Sequence, residues 1–182
     1  MEIFFVTTNK GKMKEAEEIA AHYNIEFIAK DYDAVEIRSN DPVEIAIESA
    51  KDAYANIGKP LIVEDSGLFI DALRGFPGTY SAFVFHTIGV NGVLKVMEGQ
   101  TNRSATMKSA VAYTDGKEVK TFLGEVKGRI PNSPRGTSGF GYDPIFIPEG
   151  RELTFGEDLN YKSKVSHRAQ SIRKFCEWYA NK

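Results

Sequence analysis

The chain predicts an α/β fold, a mixed β-sheet with helices on its faces. Three observations carry that prediction. Short apolar runs at residues 3–6, 25–29 and 61–63 alternate with longer stretches of helical periodicity. An Asp115-Gly116 pair between two apolar runs signals an antiparallel hairpin. The last stretch places Val165, Ala169, Ile172, Cys176 and Tyr179 at spacings of 4-3-4-3, one stripe of a helix.

Residues 3–6 read as a buried first strand. Thr7-Thr8-Asn9-Lys10-Gly11-Lys12 follows as a polar turn, and a helix then carries Met13, Ala16, Ile19 and Ala20 on one face. Residues 25–29 make a second strand, and residues 31–40 are irregular around Val35-Glu36-Ile37. The clearest helix opens at Asp41-Pro42. Asp41 is the expected N-cap, Pro42 occupies N1, and Glu44 takes the capping-box position. Ile47, Ala50, Tyr54 and Ile57 form its apolar face, and Gly58 stops it.

The next strand, entered from Gly58-Lys59-Pro60, is expected to end at Glu64-Asp65, with a small turn after it. Residues 75–80 read as a loop and residues 89–98 as a short helix. Residues 105–113 and 118–126 are the hairpin strands, and 131–141 is a loop with two prolines and three glycines. Residues 142–147 are expected to return as a strand, and residues 163–179 to form the last helix. No linker divides the 182 residues into independent domains.

Composition narrows the function. The chain is 42% hydrophobic and 26% charged, ordinary for a soluble globular domain. Its net charge of −2 provides no bulk basic field, so no nucleic-acid partner is expected. Phosphate binding would need a local cluster of cations. Cys176 is the only cysteine, which rules out an internal disulfide and a cysteine-based zinc site. His22, His86 and His167 are too scattered for a histidine metal site. The N-terminus lacks the basic region and cleavage site of a signal peptide, and no apolar run approaches the ~20 residues of a membrane span. The expectation is a cytoplasmic protein with no membrane partner.

Two adjacent carboxylates at a strand end, Glu64 and Asp65, can hold Mg²⁺, whose preferred ligands are hard oxygens. One of them can also polarise a water. Two solvated acids capping a strand are the plain alternative. Glu36 can complete such a site, or stand exposed on an edge strand. In the first turn, Thr8 and Asn9 offer hydrogen bonds, Lys10 and Lys12 offer charge, and the following helix offers its N-terminus to an anion. The spacing is not that of a P-loop. Lys51, at the margin of its helix's apolar face, can reach a phosphate or lay its stem along the surface.

Ser138-Gly139-Phe140-Gly141-Tyr142-Asp143-Pro144 sets an aromatic between glycines, where backbone can approach a ligand and Phe140 can stack on a nucleobase. Phe140 can equally cap the core. On the last helix, His167 lies about 160° from the middle of the apolar stripe, by 100° per residue, and is not expected in the core. Arg168 lies at the stripe's edge. Lys162 is expected just before the helix, near its N-terminus.

Together these segments resemble the inosine triphosphate pyrophosphatase family, enzymes that hydrolyse non-canonical purine nucleotides. The resemblance runs nearly end to end and rests on motifs in order. These are Thr-x-Asn-x-x-Lys from Thr7, Glu-Asp-Ser-Gly-Leu from Glu64 and Phe-Pro-Gly-x-Tyr-Ser from Phe76. Gly-Phe-Gly-Tyr-Asp-Pro from Gly139 and Ser-His-Arg from Ser166 complete the set. Thr8 departs from the glycine of many relatives.

The resemblance implies a long central mixed sheet, two lobes with an active-site cleft between them, and a homodimer. It implies Mg²⁺-dependent cleavage of ITP, dITP and XTP to a nucleoside monophosphate and pyrophosphate. By the same resemblance, Glu36 and Asp65 look like metal ligands, with Glu64 a further candidate and Asp65 the proton acceptor. Thr7, Thr8, Asn9, Lys10, Gly11, Lys12, Lys51, Ser66 and Lys162 look like triphosphate contacts. Phe140, Gly141, Tyr142, Asp143, His167 and Arg168 look like the base pocket. A pyrophosphatase for another modified nucleotide, or a nucleotide sensor without catalysis, are the rival functions; the carboxylate–lysine constellation favours an enzyme.

Overall fold

A computed structural model describes all residues, Met1–Lys182. Seven strands form one sheet. In chain order they are β1 (Glu2–Val6), β2 (Glu26–Lys30), β3 (Leu61–Ile70), β4 (Pro77–Gly78), β5 (Ser104–Thr114), β6 (Val119–Arg129) and β7 (Ile147–Pro148). The helices are α1 (Lys10–Ala20), α2 (Pro42–Ile57), α3 (Ser81–Val96), α4 (Leu159–Val165) and α5 (His167–Ala180). The order across the sheet is β2-β1-β3-β5-β6-β7, with β4 paired to β3. β1 runs parallel to both β2 and β3, while β4 and β7 pair antiparallel. The mixed α/β sheet expected from the sequence is therefore present. No helix is long and apolar enough to cross a membrane.

The chain forms two compact units. The first comprises Met1–Asp65, Ser109–Gly124 and His167–Lys182; the second comprises Ser66–Lys108 and Glu125–Ser166. The first unit packs both faces of its strands. On one face, Ile3, Phe5, Ile62, Val111 and Tyr113 meet Ala16 and Ala20 of α1 and Ile172, Phe175 and Cys176 of α5. On the other, Val6, Leu61, Val63, Ala110 and Ala112 meet Ala46, Ala50 and Ala53 of α2. Strand alternation produces this division, since successive side chains point to opposite faces. The second unit closes over Leu68, Ile70, Met107, Ile130, Phe146 and Phe155.

In the first unit β1 lies between β2 and β3, and the helices after β1 and β2 cover opposite faces. Strand order thus reverses at β1. In open α/β sheets the carboxyl ends of strands at such a point are where ligands bind. Val6 pairs with Val63 in register, so the chain leaves β1 beside Glu64.

Several elements differ from expectation. β3 does not stop at Asp65 but continues to Ile70. Gly67 marks a close backbone approach rather than a turn: a Cβ there would lie 2.1 Å from the Gly78 carbonyl oxygen. Helix α3 begins at Ser81, not near residue 89, and Gly89 kinks it at φ 64°. Residues 142–147 form a 3-10 turn, Asp143–Ile145, and only the short β7, because Pro144 cannot donate to a ladder.

The last helix is two. Ser166, with φ −60° and ψ 159°, breaks it, and α5 starts afresh at His167. Residues 35–37 form no strand; the Val35 N–H donates to Asp52 Oδ2 and its carbonyl accepts from Ser49, both on α2. The α2 cap is also more elaborate than a two-residue box. Asp41 accepts from the Val43 N–H, but Glu44 accepts from Ser39 Oγ, which itself accepts from the Asp41 N–H.

Candidate active site

The turn after β1 is tied by its own side chains. Thr7 Oγ1 accepts from the Asn9 N–H at 3.1 Å. Asn9 is the N-cap of α1 and accepts from the Gly11 and Lys12 N–H groups at 2.9 and 3.0 Å. The helix starts earlier than expected, so Lys10, Gly11 and Lys12 form its first turn. Two of the amides expected to await an anion are already capped by Asn9. No acid lies in that turn, and two lysines do, an arrangement opposed by the helix dipole. Thr8, Asn9 and Lys10 are exposed.

Lys12 turns inward. Its Nζ lies 2.8 Å from Glu64 Oε2 and donates to the Glu64 carbonyl at 2.9 Å. Glu64 is not a solvated strand-end acid; its side chain is 0% exposed. Glu64 Oε1 accepts from Ser109 Oγ at 2.6 Å and lies 3.2 Å from Arg168 Nε. Arg168 Nη1 donates to Glu15 Oε2 on α1 at 2.7 Å. Burial alone would raise the Glu64 carboxyl. The Arg168 and Lys12 charges, with hydrogen bonds from Lys12 and Ser109, outweigh it and hold the group well below the ordinary carboxylate range.

Asp65 follows on the same strand, half-buried. Alternation along β3 turns Glu64 toward the α1 and α5 side with Ile62, and Asp65 toward the α2 side with Val63. Two neighbouring acids so disposed do not chelate one ion together. Glu36 is exposed on the segment anchored to α2. Lys51 is not gathered with Lys12; its Nζ donates to Glu48 at 2.7 Å on the exposed face of α2. No group of three or more Asp, Glu, His or Cys side chains is arranged to hold a metal ion.

His167 and Arg168 open α5 and are both buried. The expectation that His167 stands away from the core fails because the break at Ser166 resets the helical phase from which its angle was counted. Gly124 on β6 makes room for this helix start. A Cβ there would lie 1.9 Å from the His167 carbonyl oxygen and 2.8 Å from the Ser171 nitrogen.

The second unit holds the remaining candidates. Lys162 does not precede the helix; it lies within α4 with its side chain 4% exposed, and its Nζ donates to Asp143 Oδ2 at 2.6 Å. The same oxygen accepts from the Phe140 N–H at 2.8 Å. Lys162 Nζ lies 4.6 Å from the Phe140 ring centroid. Gly139, at φ +79°, admits this carboxylate: a Cβ there would lie 2.1 Å from Asp143 Oδ2. Asp143 therefore fixes the turn that presents the half-buried Phe140. Gly141 extends that turn, again with positive φ. Tyr142 is buried, and its hydroxyl donates to the Ser81 carbonyl. Ser66, half-buried on β3, begins this unit.

Ser109, Ser171, Glu15 and Gly124 escaped the reading of the sequence. The one available signal was Ser109, a hydroxyl within the apolar stretch of β5.

Known proteins resemble this chain along nearly its whole length. A model of the Ham1 family matches residues 3–178. The dITP/XTP pyrophosphatase of Methanopyrus kandleri is 51% identical, over 100% of this chain and 97% of its own. That of Saccharolobus solfataricus is 48% identical, over 98% and 93%. Among solved structures, a HAM1 protein from Coxiella burnetii superposes with a TM-score of 0.89 at 29% identity, covering both chains in full. The Staphylococcus aureus Ham1 protein gives 0.86 at 28%, over 100% and 99%. With sequence motifs, fold and relatives in agreement along the whole length, the chain belongs to the Ham1 family.

Proposed function

We propose that this protein hydrolyses non-canonical purine nucleoside triphosphates, ITP, dITP and XTP, to the monophosphate and pyrophosphate, clearing them from the cytoplasmic nucleotide pool. The observation that carries this reading is the convergence of Lys12 and Arg168 on buried Glu64, beside Asp65, where strand order reverses. Each cation sits in a helix first turn that contains no acid. A triphosphate brings the negative charge those turns lack.

In the proposed reaction, water attacks the α-phosphorus, the bond to the bridging oxygen of the β-phosphate breaks, and pyrophosphate leaves. Asp65 takes the water's proton. Lys12, in the first turn of α1, neutralises phosphate charge, and Lys162 supplies a second cation against the Phe140 turn. Phe140 stacks on the purine. Arg168 donates to its 6-keto oxygen, a group that adenine replaces with an amino donor.

Mg²⁺ is the proposed cofactor. It commonly takes only one or two carboxylates and completes its shell with water and phosphate oxygens. Asp65 and Glu36 fit such a donor set; Glu64 does not, because both its oxygens already serve Lys12, Arg168 and Ser109. Bound there, the ion would neutralise phosphate charge and orient the attacking water.

A homodimer is part of the proposal. Phe76, Tyr80, Phe83 and Ile88 leave large apolar side chains exposed within and just before α3. Sedimentation should give about twice the 20.2 kDa chain mass, and a monomer at every concentration would remove this part. The activity is tested by incubating ITP with Mg²⁺ and identifying the products.

A further inference from the structure

Ser109 and Ser171 form a hydroxyl pair that the reaction above does not use. Both are 0% exposed, and their oxygens lie 2.7 Å apart. Ser109 shares its strand parity with Val111 and Tyr113, which pack in the apolar cluster against α5. A hydroxyl on such a face is unfavourable unless it is hydrogen-bonded. Its partner is Glu64 Oε1, at 2.6 Å. Ser171 Oγ lies behind it, 3.1 Å from the Arg168 carbonyl.

The consequence lies on the other side of the carboxylate. Glu64 Oε2 faces Lys12 Nζ, and Oε1 faces Arg168 Nε. Lys12 has three N–H donors. Glu64 holds this ammonium in two ways, by a hydrogen bond to its backbone carbonyl and by an ion pair with Oε2, so the carboxylate's position sets where Lys12 Nζ rests. Arg168 is held by Glu64 on its Nε side and by Glu15 at Nη1. A carboxylate rotates freely about its last torsion unless something holds it. Ser109 holds it from behind.

We propose that Glu64 is a shared anchor coupling the phosphate-binding Lys12 to the base-reading Arg168, and that Ser109 is the positioning residue that fixes this anchor. The inference rests on the pyrophosphatase reading above. If Ser109 lets go, Lys12 and Arg168 shift together. Phosphate affinity and base discrimination then change as one, although the two cations serve opposite ends of the substrate.

Two readouts separate this role from simple support of the fold, because neither depends on the fraction of active enzyme. Inhibition by added pyrophosphate reports the Lys12 arm. The ratio of kcat/KM for ITP over ATP reports the Arg168 arm. Ser109→Ala should weaken pyrophosphate inhibition and lower the ITP-to-ATP ratio, each by about 3- to 12-fold, the size of one hydrogen bond to a charged group spread over two arms. Ser109→Thr keeps the hydroxyl and should restore both. If Ser109→Ala does not fold, Ser171→Ala should show the same paired change at smaller size.

Movement of one readout without the other, or of neither, overturns the shared anchor. Wild-type protein that leaves ITP intact overturns the activity reading and this inference with it. Wild-type protein active on ITP, with both readouts unmoved in the variants, overturns this inference alone.

Discussion

Lys12 Nζ lies 2.8 Å from Glu64 Oε2, and the carboxylate it meets is closed to solvent. A helix first turn and a strand interior, 52 residues apart in sequence, are thereby joined by a buried ion pair. Such a pair is strongly felt when one partner is removed, because the other charge stays buried and uncompensated. Glu64→Gln keeps the shape and leaves Lys12 and Arg168 without their shared counter-charge. Urea unfolding should show a loss of about 3–5 kcal/mol. Lys51→Ala, which removes an exposed pair with Glu48, should change stability by less than about 0.5 kcal/mol. Equal effects from the two substitutions would contradict this view of Glu64.

Gly124→Ala should destabilise the first unit by several kcal/mol, on the order expected for a severe core overlap. The added methyl meets the His167 carbonyl, which is backbone and cannot swing aside. Gly58→Ala is the contrast. It has positive φ but open space around it, so only the backbone cost of roughly 1 kcal/mol applies. Thermal unfolding of both variants orders them. A Gly124→Ala protein as stable as Gly58→Ala would contradict the close approach of α5 to β6.

The sequence made the sheet and the apolar faces readable because periodicity is a local signal. The face of α1 follows from it, and the hairpin at Asp115-Gly116 and the capped start of α2 follow from turn and cap residues that are just as local. What it concealed depends on chain segments meeting from afar. Ser66-Gly67 has the composition of a turn, yet Gly67 sits in a strand because the Gly78 backbone needs its space. His167 reads as solvent-facing only if the helix from residue 163 is continuous, and Ser166 breaks it. At the site, residue types announced acids, lysines and an aromatic turn. They did not announce that Glu64 and Asp65 face opposite sides of the sheet, or that Asp143 serves Lys162 and the Phe140 amide through one oxygen. Ser109 shows only as a hydroxyl within an apolar strand and Ser171 carries no pattern at all; the tertiary contact gives them a role.

Cys176 supplies a probe of folding. Its thiol is buried, and burial, aided by the nearby Glu177 charge, pushes its pKa up to about 12 from 9.0. The folded pKa is raised, so the contribution to stability is whole below about pH 9. It declines as pH rises from there toward 12, because the unfolded chain ionises first. At pH 8 a thiol reagent should label the protein only as fast as it unfolds. Rapid labelling of the native protein would contradict the burial of α5.

Asp65→Asn preserves shape and removes a charge, a proposed metal ligand and the proposed base. The expected loss in kcat is on the order of 10²–10⁴, with urea stability near wild type. Turnover close to wild type in saturating Mg²⁺ would exclude Asp65 as the proton acceptor.

The central claim is that a non-canonical purine triphosphate is cut between its α- and β-phosphates, and phosphorus NMR of the ITP reaction tests it directly. The expected spectrum shows one pyrophosphate and one IMP appearing per ITP consumed, with kcat/KM for ITP and XTP well above that for ATP. Primary release of IDP and orthophosphate, or hydrolysis of ATP as efficient as that of ITP, would contradict the account.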